Sequence, residues 1–197
     1  AFEKMKSAYG SAFQNVLAQS GMTEDAYRDQ IRANKLVEYA VKKAAEKELT
    51  DDNYKAFFET YTPEVTAQII KVDSEEKAKE VLEKAKAEGA DFGQLAKENS
   101  TDKDTKDKGG EVKFDSTSTT VADAVKKATF ALEENGVSDV ITVRGKQNYS
   151  ASYYIVKLVK KTQKSAKWTD YKKQLKEGIL TQKQNDASFI RSVISKE

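Results

Sequence analysis

The sequence predicts an α+β fold in which a small, mostly antiparallel sheet with surrounding helices is inserted into an all-helical domain built from both ends of the chain. Three observations predict it. Residues 1–62 carry helical periodicity and no convincing strand. Two β-branched runs, VTAQIIKV at 65–72 and SYYIVKLVK at 152–160, bracket short helical patterns and one further short strand. Helical periodicity then returns from Trp168 onward, on an apolar side that a compact sheet domain does not need. The expected organisation is a helical N-terminal part at 1–62, a sheet domain at 63–161 and a C-terminal helix at 162–197 packing back on the N-terminal part.

Each element has a local cause. Thr23 followed by Glu24 and Asp25 marks a helix start, and Ala26, Ile31, Leu36, Val37, Ala40, Val41 and Ala44 give that helix its apolar stripe. A shorter pattern begins near Thr50 with Tyr54, Phe57, Phe58 and Tyr61. The only proline, Pro63, disfavours helix at Thr62 and marks the domain boundary. VTAQIIKV then reads as a strand. Asp73 and Glu76 have capping-box spacing for a helix with the inner face Ala78, Val81, Leu82 and Ala85, ended by Gly89. A second short helix covers Phe92 to Lys97, and the polar window 99–111 with Gly109-Gly110 is a loop into the strand EVKF. Val121, Val125, Ala128 and Leu132 recur at helical spacing. In SYYIVKLVK, Tyr153, Ile155 and Lys157 alternate with Tyr154, Val156 and Leu158, as strand residues do. Tyr171, Leu175, Ile179, Phe189, Ile190 and Val193 carry the last helix.

Composition removes several function classes. The 197 residues suffice to bury roughly 70% of the extended surface, so no staple is needed. With 34 Lys+Arg against 32 Asp+Glu, net +2, the charges are interleaved, whereas nucleic-acid binding needs a concentrated basic stripe. Lys157, Lys160, Lys161, Lys164 and Lys167 form the one local basic excess, a solvated face or a contact with an anionic surface. The absence of Cys and His excludes thiolate nucleophiles, thiolate zinc sites and His-dependent triads. No apolar run approaches the roughly 18 residues of a spanning helix. The start AFEKMKSAYG lacks a signal-peptide pattern, so the chain reads as cytosolic, processed or truncated. Asp102, Asp104, Asp107 and Glu111 invite a calcium reading, but the loop lacks the required glycine and has Lys113 at the closing position.

From Val65 to Val159 the landmarks AQII, GADFGQLAKENSTD, GGE, ATFALEENGVSDVI and YYIVKL follow one another in an order that resembles the parvulin family of peptidyl-prolyl cis-trans isomerases. The flanks LAQSGMTEDAYRDQIRANKLVEYAVKKAAEKELT and YTPEVTAQI resemble the PrsA-type foldase lipoproteins of Gram-positive bacteria, of a streptococcal type. The resemblance implies an extracytoplasmic folding factor on the outer face of the cell membrane. It further implies a lipid anchor on an N-terminal cysteine absent from this chain, unfolded or partly folded secreted polypeptides as partners, no cofactor and no metal. A homodimer stays open. Asn99-Ser-Thr and Asn148-Tyr-Ser match the glycosylation acceptor pattern, silent in a bacterial protein.

Carried over by position, the family's two active-site histidines fall on Gln68 and Tyr154, and the Asp or Cys between them falls on Asp102, which is retained. The Met and Phe that line the proline pocket fall on Val121 and Val125, the Leu of the family's GGDLG falls on Val112, and Phe130 matches the core helix. The resemblance thus gives Asp102, Gln68 and Tyr154 as catalytic candidates and Val112, Val121, Val125 and Phe130 as substrate-binding candidates. Rotation about the peptide bond crosses a barrier of roughly 18–20 kcal/mol with no bond broken, so a catalyst needs a grip on the ring and electrostatic matching of the twisted amide, not a nucleophile. Gln68 and Tyr154 can each donate and accept hydrogen bonds. On the plain reading of the residues, Gln68 is an ordinary strand residue, Tyr154 a packed sheet tyrosine and Asp102 a loop cap. Isomerase activity, if present, is expected to be weak, and a purely non-catalytic chaperone or a surface interaction module is the alternative. The aromatic and flexible set Phe2, Met5, Tyr9, Phe13, Tyr27, Tyr54, Phe57, Phe58 and Tyr61 either exposes a client-holding surface or is buried within the helices.

Overall fold

The computed structural model describes residues 1–145 and 150–195, so Asn148 of the second acceptor motif lies outside the described residues. The chain divides into two compact units, 1–54 with 176–197 and 55–175.

The first unit is helical: α1 (Phe2–Tyr9), α2 (Phe13–Ser20) and α3 (Glu24–Glu46) precede α4 (Asp51–Thr60), and α8 (Lys172–Asn185) leads into α9 (Ala187–Ile194), with the division falling inside α4 and α8. Thr23 caps α3 as its sequence suggests, its hydroxyl accepting from the Ala26 N–H at 3.1 Å. Phe2, Phe13 and Leu17 are buried against Tyr27 and Ile31, with edge-to-face ring pairs Phe2–Phe13 at 5.8 Å and Phe13–Tyr27 at 5.9 Å. The aromatic set is therefore largely consumed by packing: Phe2, Phe13, Tyr54 and Tyr61 are buried, and of the nine residues only Tyr9 is a large exposed apolar side chain. Exposed apolar surface lies instead on α3, where Leu36 and Tyr39 are each 62% exposed. The C-terminal helix is two helices rather than one. Asp186 breaks it, its carboxylate accepting from the Ser188 and Phe189 N–H groups to start α9. Among the described residues no helix is long and apolar enough to cross a membrane.

The second unit holds the sheet: β1 (Val65–Val72), β2 (Glu111–Phe114), β3 (Ile141–Arg144) and β4 (Ala151–Lys161) lie in the order β2-β1-β4-β3, every neighbouring pair antiparallel. Ile69 stands opposite Val156 and Lys71 opposite Tyr154. Because side chains alternate, the two faces carry separate cores. Val65, Ala67, Ile69, Val156 and Leu158 pack with Phe114, Val121 and Val125 beside α7 (Asp123–Phe130), while Ile70, Val72 and Ile155 pack under α5 (Glu75–Lys86) and α6 (Phe92–Asn99). Both central strands thus bury residues on two sides, which is why Ile69 and Ile70 of β1 and Ile155 and Val156 of β4 stand as adjacent apolar pairs. Ser74, not Asp73, caps α5, because its extended backbone aims the hydroxyl at the Lys77 N–H, while Asp73 accepts from Thr101. α5 ends at Lys86, before Gly89, and α7 excludes Val121 and Leu132, which flank it.

Candidate functional site

The edge of β1 beyond its pairing with β2 is covered by the loop at 100–110, and this places the candidate residues. Ile69 N–H donates to the Gly110 carbonyl at 2.8 Å, Lys71 N–H to the Ser100 hydroxyl at 3.2 Å, and Thr101 N–H to the Lys71 carbonyl at 2.7 Å. Gly110 has to be glycine: its φ is +77°, and a Cβ there would collide with the Ile69 carbonyl oxygen. Within this loop Asp102 accepts from the Thr105 hydroxyl at 2.7 Å and from the Asp104 N–H at 3.2 Å. The loop-cap reading of Asp102 therefore holds as geometry, and the same bonds fix its carboxylate at the rim of a cleft.

That cleft, a cavity of about 270 Å³, is lined by Asp102, Asp104 and Thr105 of the loop, by Ile69, Lys71, Val112 and Tyr154 from the sheet, and by Thr120, Val121, Ala122 and Val125 at and before α7. Five of the seven candidates from sequence, Asp102, Tyr154, Val112, Val121 and Val125, are brought together here. The volume lies just under the roughly 300 Å³ at which small-molecule sites begin, enough for one ring-sized side chain. The Tyr154 hydroxyl has no hydrogen-bond partner among the described residues, so it is open to a bound group.

Gln68 and Phe130 do not line the cleft. Gln68 is an odd number of residues from both Ile69 and Lys71 and so points to the opposite face of β1, where its amide donates to the Gly109 carbonyl at 3.1 Å and abuts Gly93 of α6. Phe130 stands behind the apolar wall, its ring 5.7 Å from that of Phe114. Ile69, Lys71, Thr105, Thr120 and Ala122 also line the cleft without being sequence candidates, as does Asp104, which the sequence offers only to the calcium reading. The signal for the first two was the alternation that puts them on the Tyr154 face; the signal for Thr105 was its place three residues after a capping Asp. The acidic loop does not gather into a cation site, since among the described residues no group of three or more His, Cys, Asp or Glu could hold a metal ion. A shallower depression of about 680 Å³ on the α5 side, lined by Ala85, Lys86, Asn135 and Lys157 among others, contains none of the candidates.

The four-stranded antiparallel sheet with its covering helices is a parvulin-like fold, and residues 60–160 match the family model for Rotamase, the PPIC-type PPIASE domain. The chain is 75% identical over 197 residues to the foldase protein PrsA of Streptococcus sanguinis, covering 100% of this chain and 58% of that protein. The crystal structure of foldase protein PrsA from Streptococcus pneumoniae is matched with a TM-score of 0.84 at 61% identity, over 98% of this chain and 71% of that one. The corresponding foldase from Lactococcus lactis is matched with a TM-score of 0.68 at 33% identity, over 99% of this chain and 70% of that one. The chain belongs to the PrsA foldase family. It spans less than two thirds of the curated relatives it matches, 58% in the first case and 61% in the pneumococcal one.

Proposed function

We propose that the chain is part of an extracytoplasmic folding factor that receives unfolded or partly folded secreted polypeptides, and that its cleft is a weak peptidyl-prolyl cis-trans isomerase. The observation that carries this reading is the cleft itself, which retains Asp102 and an apolar wall yet offers Tyr154 and two valines where the family has histidine, Met and Phe. The proline ring would sit against Val112, Val121 and Val125, excluding water from one side of the amide. As the amide twists it loses resonance and the lone pair returns to the proline nitrogen, which becomes a hydrogen-bond acceptor, so the Tyr154 hydroxyl, donating to it, stabilises the twisted state more than the planar one. Asp102 acts here by holding the loop wall, and Gln68 by holding Gly109 from the other face. Two valines grip less of the ring than Met and Phe would, which is the reason for low activity.

A second reading, client holding by the helical unit, is favoured by one observation: Leu36 and Tyr39 of α3 and Phe189 and Val193 of α9 line an open groove with a volume of about 580 Å³. In the same proposal the full-length protein is lipid-anchored at its N-terminal cysteine on the outer face of the membrane, works as a monomer or homodimer, and carries 63–161 as an inserted, self-folding domain. The experiment is an isomerisation assay on short peptides with different residues before proline, run beside aggregation suppression of a proline-free client. Isomerisation without holding supports the first reading alone; holding without isomerisation leaves only the second.

A further inference from the structure

The wall of the cleft formed by Thr120, Val121 and Ala122 ends the loop that leaves β2, and the start of that loop is held from three directions. Asp115 accepts from the Thr117 N–H at 2.8 Å, the Thr117 hydroxyl at 2.7 Å and the Ser118 hydroxyl at 3.3 Å through one carboxylate oxygen, and from the Tyr61 hydroxyl at 3.0 Å through the other. Ser116 exchanges bonds with Thr62 in both directions, at 3.0 Å and 2.9 Å. From below, the Lys126 ammonium, its side chain only 12% exposed, donates to the Ser118 carbonyl at 2.7 Å and the Ser116 carbonyl at 3.3 Å. Withdrawing a carboxylate and an ammonium from water is costly unless both are hydrogen-bonded, and here most of the compensating bonds converge on this loop, the exception being the Lys126 pair with Asp123 of its own helix at 2.9 Å. Tyr61 is itself 3% exposed, with its ring 5.1 Å from that of Tyr171, and Lys164 donates to the Phe58 carbonyl at 2.6 Å. The loop is thereby referenced to the place where the chain enters the sheet unit and where it leaves.

We propose that Tyr61 and Asp115 are positioning residues of the cleft, setting Val121 against Tyr154 across its opening and so setting the affinity for a proline-containing segment. This rests on reading the cleft as the proline-binding site. The reason such positioning matters in this chain is the shortness of its wall: valine at 121 and 125 cannot bend toward a ring as Met can, so the backbone has to bring the methyl groups to it.

The test uses the full chain and a blocked Ala-Ala-Pro-Phe tetrapeptide, with the methyl resonances of Val121 and Val125 followed by NMR. Tyr61→Phe keeps the ring packing and removes only the hydroxyl; it is expected to displace the Val121 resonances of the free protein and to weaken peptide binding several-fold. Asp115→Ala is expected to do the same. Asp115→Asn, whose amide can still bond the Tyr61 hydroxyl and Thr117, is expected to restore most of the affinity. Ile155→Val, a loosening of the opposite core, is expected to move neither readout. A folded Tyr61→Phe protein with wild-type Val121 resonances and wild-type affinity would overturn the proposal, as would an Ile155→Val effect of equal size. If the peptide leaves Val121, Val125 and Tyr154 of the wild type unmoved, the cleft reading fails instead, and the free-protein shift in Tyr61→Phe still decides the positioning claim.

Discussion

On the proposed reading catalysis turns on Tyr154, which lines the cleft and whose hydroxyl has no partner among the described residues. Tyr154→Phe is expected to keep the fold and lower kcat/KM by up to roughly tenfold, the upper end of what one neutral hydrogen bond contributes. Unchanged kcat/KM would return Tyr154 to the role of a packed sheet residue. With no His and no Cys, no side chain has an ordinary pKa between about 5 and about 8, so the isomerisation rate is expected to be flat over that range. The alkaline side differs. Burial, then the Asp115 charge and its hydrogen bond, push the Tyr61 phenol above its ordinary value. A raised folded pKa means that stability is full below the unfolded value near pH 10 and is lost as pH rises beyond it. Melting curves at increasing alkaline pH are expected to show that part of the loss disappear in Tyr61→Phe. At this scale the landmark order carries Asp102, Tyr154, Val112, Val121 and Val125, and all five line one cleft. Gln68 lies outside it because it alternates with Ile69 along β1 and so belongs to the other face of the sheet.

Elements were legible wherever several local signals agreed. Thr23 before two acidic residues gives α3, and β-branched runs bounded by Pro63 and Asp73 give β1. β3 had no assignment of its own: four residues, ITVR, with a half-buried pattern are too short for periodicity to speak. The break between α8 and α9 is hard to read although Asp186 is a good cap, because apolar residues continue on both sides of it. Two substitutions measure the local causes. Ser74→Ala is expected to cost about 1 kcal/mol through its cap of α5, leaving peptide affinity unchanged. Gly110→Ala is expected to be far worse, since its left-handed backbone alone costs about 1–2 kcal/mol for alanine and the Ile69 carbonyl blocks the Cβ. Denaturant midpoints of the two variants check both, and a mild Gly110→Ala would show that the loop can move off the β1 edge.

At the scale of the molecule, the fold class and the PrsA family follow from the order of elements and landmarks, whereas the level of activity does not. The extent of the folding unit is a further point of test. A fragment 63–161 omits Tyr61 and Tyr171, while 55–175 retains them with their ring contact and the bond to Asp115. Both are expected to fold, with the longer melting higher; equal melting temperatures would remove any stabilising role from those rings. On the proposed reading a cleft without histidine still lowers the barrier to proline isomerisation, weakly, through an apolar wall and a tyrosine. The most direct measurement is kcat/KM for cis-to-trans isomerisation of a proline tetrapeptide by the full chain, with Tyr154→Phe beside it. The expected result is a rate above the uncatalysed one, far below that of a parvulin with both histidines, and reduced by the substitution. A rate at full parvulin level, or one indifferent to Tyr154→Phe, would contradict it.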